Sequence, residues 1–340
     1  MDNPVLVEVT RGGLVESRHR GSLAVVDASG KLVFGVGDVA QAVFPRSAIK
    51  ALQALPLVES GAAEALDYDD AELALACASH NGEHVHANTA RVMLMKAGLT
   101  EDALLCGPQW PKHMEDAARL ILEDEEPCAL HNNCSGKHAG FLALARTLML
   151  STENYIDYDH PVQQEIRAVL ENLTGQIIGA DVCGTDGCSI PTYALNLDKT
   201  AMAFAKFATG EGMDPVRAKA AETLYEACVN EPYMVAGKNR FCTDVMDAFQ
   251  GRVFVKTGAE GVFCAALPEL GYGVALKCDD GATRGAEVIM ASVIESLLDT
   301  SKAEEKALEP YLRQPLKNRR DIHVGDVRPV EDFKAVLRGG

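Results

Sequence analysis

The sequence predicts an α+β fold: an antiparallel sheet built from N- and C-terminal strands, flanked by helices, with a helical lobe inserted in the middle. Three observations carry this. Strand patterns crowd both ends of the chain, around 1–40 and 250–280. Helix-forming stretches fill the region between them. No repeat, low-complexity tract or linker divides the 340 residues. Two terminal groups of strands can close one sheet. The expectation is therefore a single domain over 1–340 with a sheet lobe (about 1–45 and 250–340) and a helical lobe (about 46–249).

Val5, Val7 and Val9 alternate with Leu6, Glu8 and Thr10, a strand pattern over 4–10. A second strand region spans 21–37, turning at Asp27-Ala-Ser-Gly-Lys, so the chain opens as an antiparallel sheet. A helix is expected directly after Pro45. Helices follow at 69–77, with Asp69 and Asp70 in the first turn, at 85–97, stopped by Gly98, and at 114–122. The segment 78–83 interrupts the first two. Ser135-Gly-Lys-His-Ala-Gly leads into an apolar, buried helix at 141–150. Asp159 is the expected cap of a helix that runs to 173 and ends at Gly175. Residues 179–190 read as a Gly-, Asp- and Cys-rich loop, and 201–209 and 214–230 as helices. Strands at 253–256, 261–267 and 272–277 precede an apolar helix at 286–298. The charged tail, 300–340, carries a short strand at 322–330 and a mobile end.

Composition narrows the function. With 47% hydrophobic residues the chain can bury a large core. A net charge of −17 argues against nucleic-acid or anionic-membrane partners, which need basic patches. No apolar run is long enough to span a bilayer, and the start, with early acids and no basic region, is not a signal peptide. A cytoplasmic protein is expected, with most of its ten cysteines reduced, buried and inert.

The chemistry centres on Phe-Pro-Arg-Ser-Ala-Ile-Lys at 44–50. Ser47 and Lys50 lie three residues apart, about one helical turn, so they share a face. A neutral amine beside a hydroxyl at a helix mouth can make a nucleophile of the serine. The structural alternative is an N-cap serine and a solvated lysine. Ser79-His80-Asn81 and Lys256-Thr257-Gly258 follow in the order in which serine–lysine acylases carry their three elements, with His80 departing from that pattern. Two hydroxyl–amine pairs, Ser47/Lys50 and Ser79/Lys256, converging on one cleft would supply nucleophile, base and proton relay. Two neighbouring lysines would lower at least one amine's pKa. The backbone N–H of Ser47 and one after Gly258 would form an oxyanion hole. Separately, His131-Asn-Asn-Cys134-Ser-Gly-Lys137-His138 and Cys183-Gly-Thr-Asp186-Gly-Cys188 offer thiols in polar surroundings. A thiolate from each with nitrogen ligands suits zinc, although the spacing is not a zinc finger's and inert buried thiols are the alternative. His84, His86 and His113 read as surface or satisfied helix residues.

With these blocks, and with Glu8-Val-Thr-Arg-Gly-Gly near the start and Lys256-Thr-Gly-Ala-Glu-Gly near the end, the sequence resembles the rhizobial-type (class 3), zinc-containing serine–lysine L-asparaginases. The resemblance covers nearly the whole chain. It implies a fold like that of β-lactamases and penicillin-binding proteins, homodimerisation, and hydrolysis of L-asparagine to L-aspartate and ammonia. The family's two tandems fall on Ser47/Lys50 and Ser79/Lys256, and its zinc ligands on Cys134, Lys137 and Cys188. It also implies that Arg46, Asn81, His138 and Asp186 serve the substrate. In the resulting expectation Ser47 attacks the side-chain amide with Lys50 as base, and the Ser79/Lys256 pair protonates the departing ammonia. A penicillin-recognising acylase or peptidase and a non-catalytic, zinc-stabilised binding protein are the alternatives.

Overall fold

The computed structural model describes residues 3–339. Its strands are β1 (Val5–Arg11), β2 (Leu14–Asp27), β3 (Leu32–Val36), β4 (Ala42–Val43), β5 (Cys183–Thr185), β6 (Pro191–Tyr193), β7 (Leu195–Asn196), β8 (Phe254–Gly258), β9 (Val262–Leu267), β10 (Tyr272–Cys278), β11 (Gln314–Lys317) and β12 (His323–Pro329). Eight of them form one antiparallel sheet in the order β11-β12-β1-β2-β10-β9-β8, with β3 also paired to β2. Terminal strands thus close one sheet, as the sequence predicts.

The long β2 joins the two halves. Leu14–Arg20 pair with β1, and Gly21–Asp27 pair with β10. At the changeover a Cβ on Gly21 would lie 2.3 Å from the Lys277 carbonyl oxygen, so only glycine lets β10 come this close. The helices Leu197–Thr209 and Thr283–Leu297 pack on the sheet. Gly273 of β10 lets the first of them touch backbone to backbone, since a Cβ there would overlap the Ala201 carbonyl oxygen at 1.9 Å. The helical layer is built around Ser135–Thr147, buried from Ser135 to Ala145. No helix among the described residues is long and apolar enough to cross a membrane. None of the ten cysteines is paired in a disulfide, and eight are buried.

Several elements differ from the expectation. The buried helix starts at Ser135 rather than 141. Gly136 does not break it, because that glycine is needed for contact: a Cβ would sit 2.3 Å from the Leu75 carbonyl oxygen. His160, not Asp159, caps Pro161–Thr174, its ring nitrogen accepting from the Val162 N–H. The 179–190 loop contains half of a hairpin, β5 with β6. The helices Phe241–Phe249, Lys302–Leu312 and Glu331–Gly339 were not expected from the sequence. The last replaces the mobile end as far as Gly339; Gly340 lies outside the described residues.

Candidate active site

Five segments meet at one place. After β4 and Pro45 the chain enters a 3-10 turn, Arg46–Ile49, continued by the α-turn Lys50–Gln53. Arg46 adopts a left-handed φ of 52°, a conformation that an arginine pays for and that recurs at functional turns. In a 3-10 turn residues i and i+3 eclipse, so Ser47 and Lys50 keep a common face. The end of β8 packs directly on this turn. A Cβ on Gly258 would lie 2.5 Å from the Pro45 carbonyl oxygen and 3.2 Å from the Ala48 nitrogen. Arg46, Ser47, Lys50, Gln53, Lys137 and Asp186 line a narrow crevice. A roomier groove, along Phe207, Lys219 and Tyr225, holds none of them.

Lys50 is buried (1% exposed) and donates to three acceptors: the Ala78 carbonyl at 2.6 Å, the Asn133 carbonyl at 3.3 Å and Cys134 Sγ at 3.1 Å. It shares the crevice with Ser47 but makes no hydrogen bond to it. Lys256 is equally buried and donates only to the Thr257 carbonyl, at 3.1 Å. Burial, and then the nearby Lys50 charge, lower its pKa from 10.5 to about 7. Lys256 therefore has a lone pair to offer near neutral pH.

Ser79 follows Ala78 on the interrupting segment and is tied to the rest by Asn133, whose Nδ2 donates to Ser79 Oγ at 3.2 Å. The same residue accepts from Lys50 on its carbonyl and from Cys134 Sγ on Oδ1. Asn133 thus links Lys50 and Ser79 to Cys134. In the sequence it stands out only as part of the polar surroundings of Cys134.

His80, the departure from the acylase pattern, is fully buried. Its Nδ1 accepts from the Gly82 N–H, so its proton sits on Nε2 and bonds Ser135 Oγ at 3.0 Å. Burial, then the charges of His86 and Lys50, keep the ring neutral, and it stacks on His86 at 4.8 Å. The residue braces two site segments. Asn81 spends its amide inside the protein. Nδ2 bonds Glu83 and the Lys238 carbonyl, each at 3.0 Å, and Oδ1 accepts from Arg240 at 2.8 Å. His138 is buried away from the crevice lining, with Nδ1 on the Tyr155 hydroxyl at 2.7 Å and a buried Nε2 that has no partner. His86 is likewise buried and bonded to the Tyr233 carbonyl, whereas His84 is exposed.

The floor of the crevice is charged. Arg46 Nε bonds Asp186, which burial would neutralise were it not for Lys137 and Arg46, which together bring its pKa down to about 2. Asp186 Oδ2 accepts from Cys188 Sγ at 3.1 Å, and Lys137 Nζ donates to that sulfur at 3.0 Å. Ligand atoms of Cys134, Asp186 and Cys188 all lie within 4.8 Å of one another. Cys188, ahead of Lys50 and Lys137, acts against burial to hold Cys134 well below the usual thiol range, while Cys134 and burial push Cys188 up. Burial also acts to discharge Lys137, but the adjoining sulfurs outweigh it and raise its pKa. Two sulfurs bound to one tetrahedral zinc stand about 3.8 Å apart at the usual Zn–S length of about 2.3 Å. A donor set this compact has the chemistry and spacing for such an ion. Cys183, on β5, faces the Gly184 carbonyl instead.

No curated protein matches the chain in sequence. Among solved structures it is similar to a β-lactamase from Mycobacterium bovis, at 12% identity over 78% of this chain and 89% of that one with a TM-score of 0.39. It is also similar to simvastatin synthase from Aspergillus terreus, at 11% identity over 86% and 92% with a TM-score of 0.41. Likenesses this loose carry no argument about activity. A family match does: the sequence fits L-asparaginase II along residues 7–329, which takes in the Arg46–Gln53 turn, the thiols and β8. The chain belongs to the L-asparaginase II family.

Proposed function

We propose that the protein is an L-asparaginase of the rhizobial, serine–lysine type. It would hydrolyse L-asparagine to L-aspartate and ammonia through an acyl-enzyme. Ser47, at the crevice, is the nucleophile. The sequence reading gave Lys50 the role of base. The three acceptors around Lys50 Nζ favour Lys256 for it instead, with Lys50 as the charge that keeps Lys256 neutral. Lys256 takes the Ser47 proton by way of the Ser79 hydroxyl, the Ser47 oxygen bonds the amide carbon, and the C–N bond breaks. The same proton returns through Ser79 to the leaving nitrogen, giving ammonia. Water then repeats the sequence on the ester, releasing L-aspartate and restoring Ser47. N–H groups at the 3-10 turn, open at a helix start, face the developing oxyanion. Arg46 and Asp186 offer opposite charges to the α-carboxylate and α-ammonium of an amino acid.

Zinc would be held by Cys134, Lys137 and Cys188, with Asp186 beside them, and Lys137, whose amine the adjoining sulfurs keep protonated, would give up that proton on binding. When bound it would supply a fixed positive charge that holds the crevice floor in shape. A homodimer is part of the same reading, carried by the family resemblance alone.

The depressed, buried amine of Lys256 is the observation that carries the mechanism. The experiment is ammonia release from L-asparagine by the purified protein and its Ser47→Ala variant across pH 5–10. The rate should climb on the alkaline side of an apparent pKa near 7 and drop at least about 10³-fold in the variant. A profile peaking below pH 6 defeats the neutral-lysine mechanism. Activity retained in the variant moves the nucleophile to Ser79.

A further inference from the structure

Ser47, Lys50 and Gln53 repeat at intervals of three from the 3-10 turn into the following α-turn, and all three line the crevice. Gln53 is 5% exposed, yet its side-chain amide makes no hydrogen bond among the described residues. The other buried amides are all paired. Asn81 has its partners above, Asn132 donates to the Cys106 and Gly107 carbonyls, and Gln163 donates to the Tyr155 carbonyl. Neither polar atom of the Gln53 amide is among the enclosed, unpartnered atoms of the described residues, so the amide keeps access to open space. The unpaired one here stands against the same space as Arg46 and Asp186.

We infer that Gln53 is a specificity-determining residue for the α-amino-acid head group, its Nε2–H donating to the substrate α-carboxylate beside Arg46. This rests on the proposed asparaginase reading. The geometry suits it: Ser47 sits at the start of the face and Gln53 two helical steps further in, beside Lys137. A side-chain amide reacting at Ser47 would then point its head group toward Gln53, Arg46 and Asp186. An amide is also neutral, so it adds a donor without disturbing the charge balance of the Arg46–Asp186 pair.

The test compares wild type with Gln53→Met, which keeps the length and loses the polar atoms. L-Asparagine is set against 3-aminopropanamide, the same molecule without its α-carboxylate. The expected result is a KM for L-asparagine raised about 10–100-fold, the range for a hydrogen bond to a charged group. The KM for 3-aminopropanamide should stay within about twofold, and the melting temperature of the ligand-free variant should be equal or higher, because nothing was paired to lose. An unchanged KM for L-asparagine overturns the inference, as does an equal rise for both substrates or a melting temperature several degrees lower, which would mark a structural role. Wild type that releases no ammonia from L-asparagine sinks the asparaginase reading and this inference with it. Active wild type with an indifferent variant sinks the inference alone.

Discussion

Replacing Lys256 by Met should stabilise the protein near neutral pH while abolishing its activity, and the stabilisation should fade as pH rises. Lys256 is fully buried, and its pKa falls from 10.5 to about 7 on folding, chiefly through lost hydration and then through the Lys50 charge. The unfolded chain therefore binds this proton more tightly than the folded one, so stability rises with pH between about 7 and 10.5. Below 7 both states are protonated and the penalty is at its full value. A drop of 3.5 in pKa, at about 1.36 kcal/mol per unit, makes that value about 5 kcal/mol. At pH 7 about 4 kcal/mol of it applies, and at pH 10 less than about 1 kcal/mol. Urea unfolding of wild type and Lys256→Met at pH 7, 8.5 and 10 isolates the residue as a double difference. The variant's advantage should shrink by about 3–4 kcal/mol from pH 7 to pH 10. A gap between the two proteins that does not move with pH would mean that Lys256 titrates normally, and the base assignment would fall with it.

Gly258→Ala puts a methyl 2.5 Å from the Pro45 carbonyl oxygen, so the Arg46–Ile49 turn must shift away from β8. A stability loss of about 1–3 kcal/mol and at least a tenfold drop in kcat are expected, read by chemical denaturation and ammonia release. Cys134→Ala should lower bound zinc from about one per chain to near zero, measured by elemental mass spectrometry on protein grown with zinc. Full zinc content in that variant would place the ion elsewhere.

Much of this was legible in the sequence because local signals agreed with the tertiary structure. Asp69 and Asp214 cap the helices they precede, and Asp69 completes a capping box with Glu72. The opening strands and the β8–β10 meander carry their own alternation and turns. Other signals were present but masked. Ser301 and Glu304 form a capping box, and Pro310 near the helix's far end hid it within the charged tail. Phe241, Val245, Met246 and Phe249 mark the buried stripe of an unexpected helix. The Ser135–Gly140 turn of the buried helix was passed over because sequence does not show that Leu75 presses on Gly136. In the site, the serines, lysines and thiols were identifiable by type and order. That the Lys256 amine has a depressed pKa was not, since that depends on its burial and on the charge of Lys50 nearby. Asn133 and Gln53 were missed for a related reason. An amide's role lies in its partners, or in their absence, and no spacing rule reports that.

The sheet order has a consequence for synthesis. β1 lies between β2 and β12. Its pairing to β2 becomes available once the first hairpin emerges, but its other edge stays open until β12 has left the ribosome. At about 5–20 residues per second, that interval is roughly 15–60 s. Throughout it a nascent chain carries an unpaired strand edge rich in valine, the kind of edge that templates aggregation. The Arg46–Ile49 turn, too, lacks its packing against β8 until that strand has emerged. The protein is thus expected to become active only post-translationally, and to depend on holdase chaperones more than its final stability would suggest.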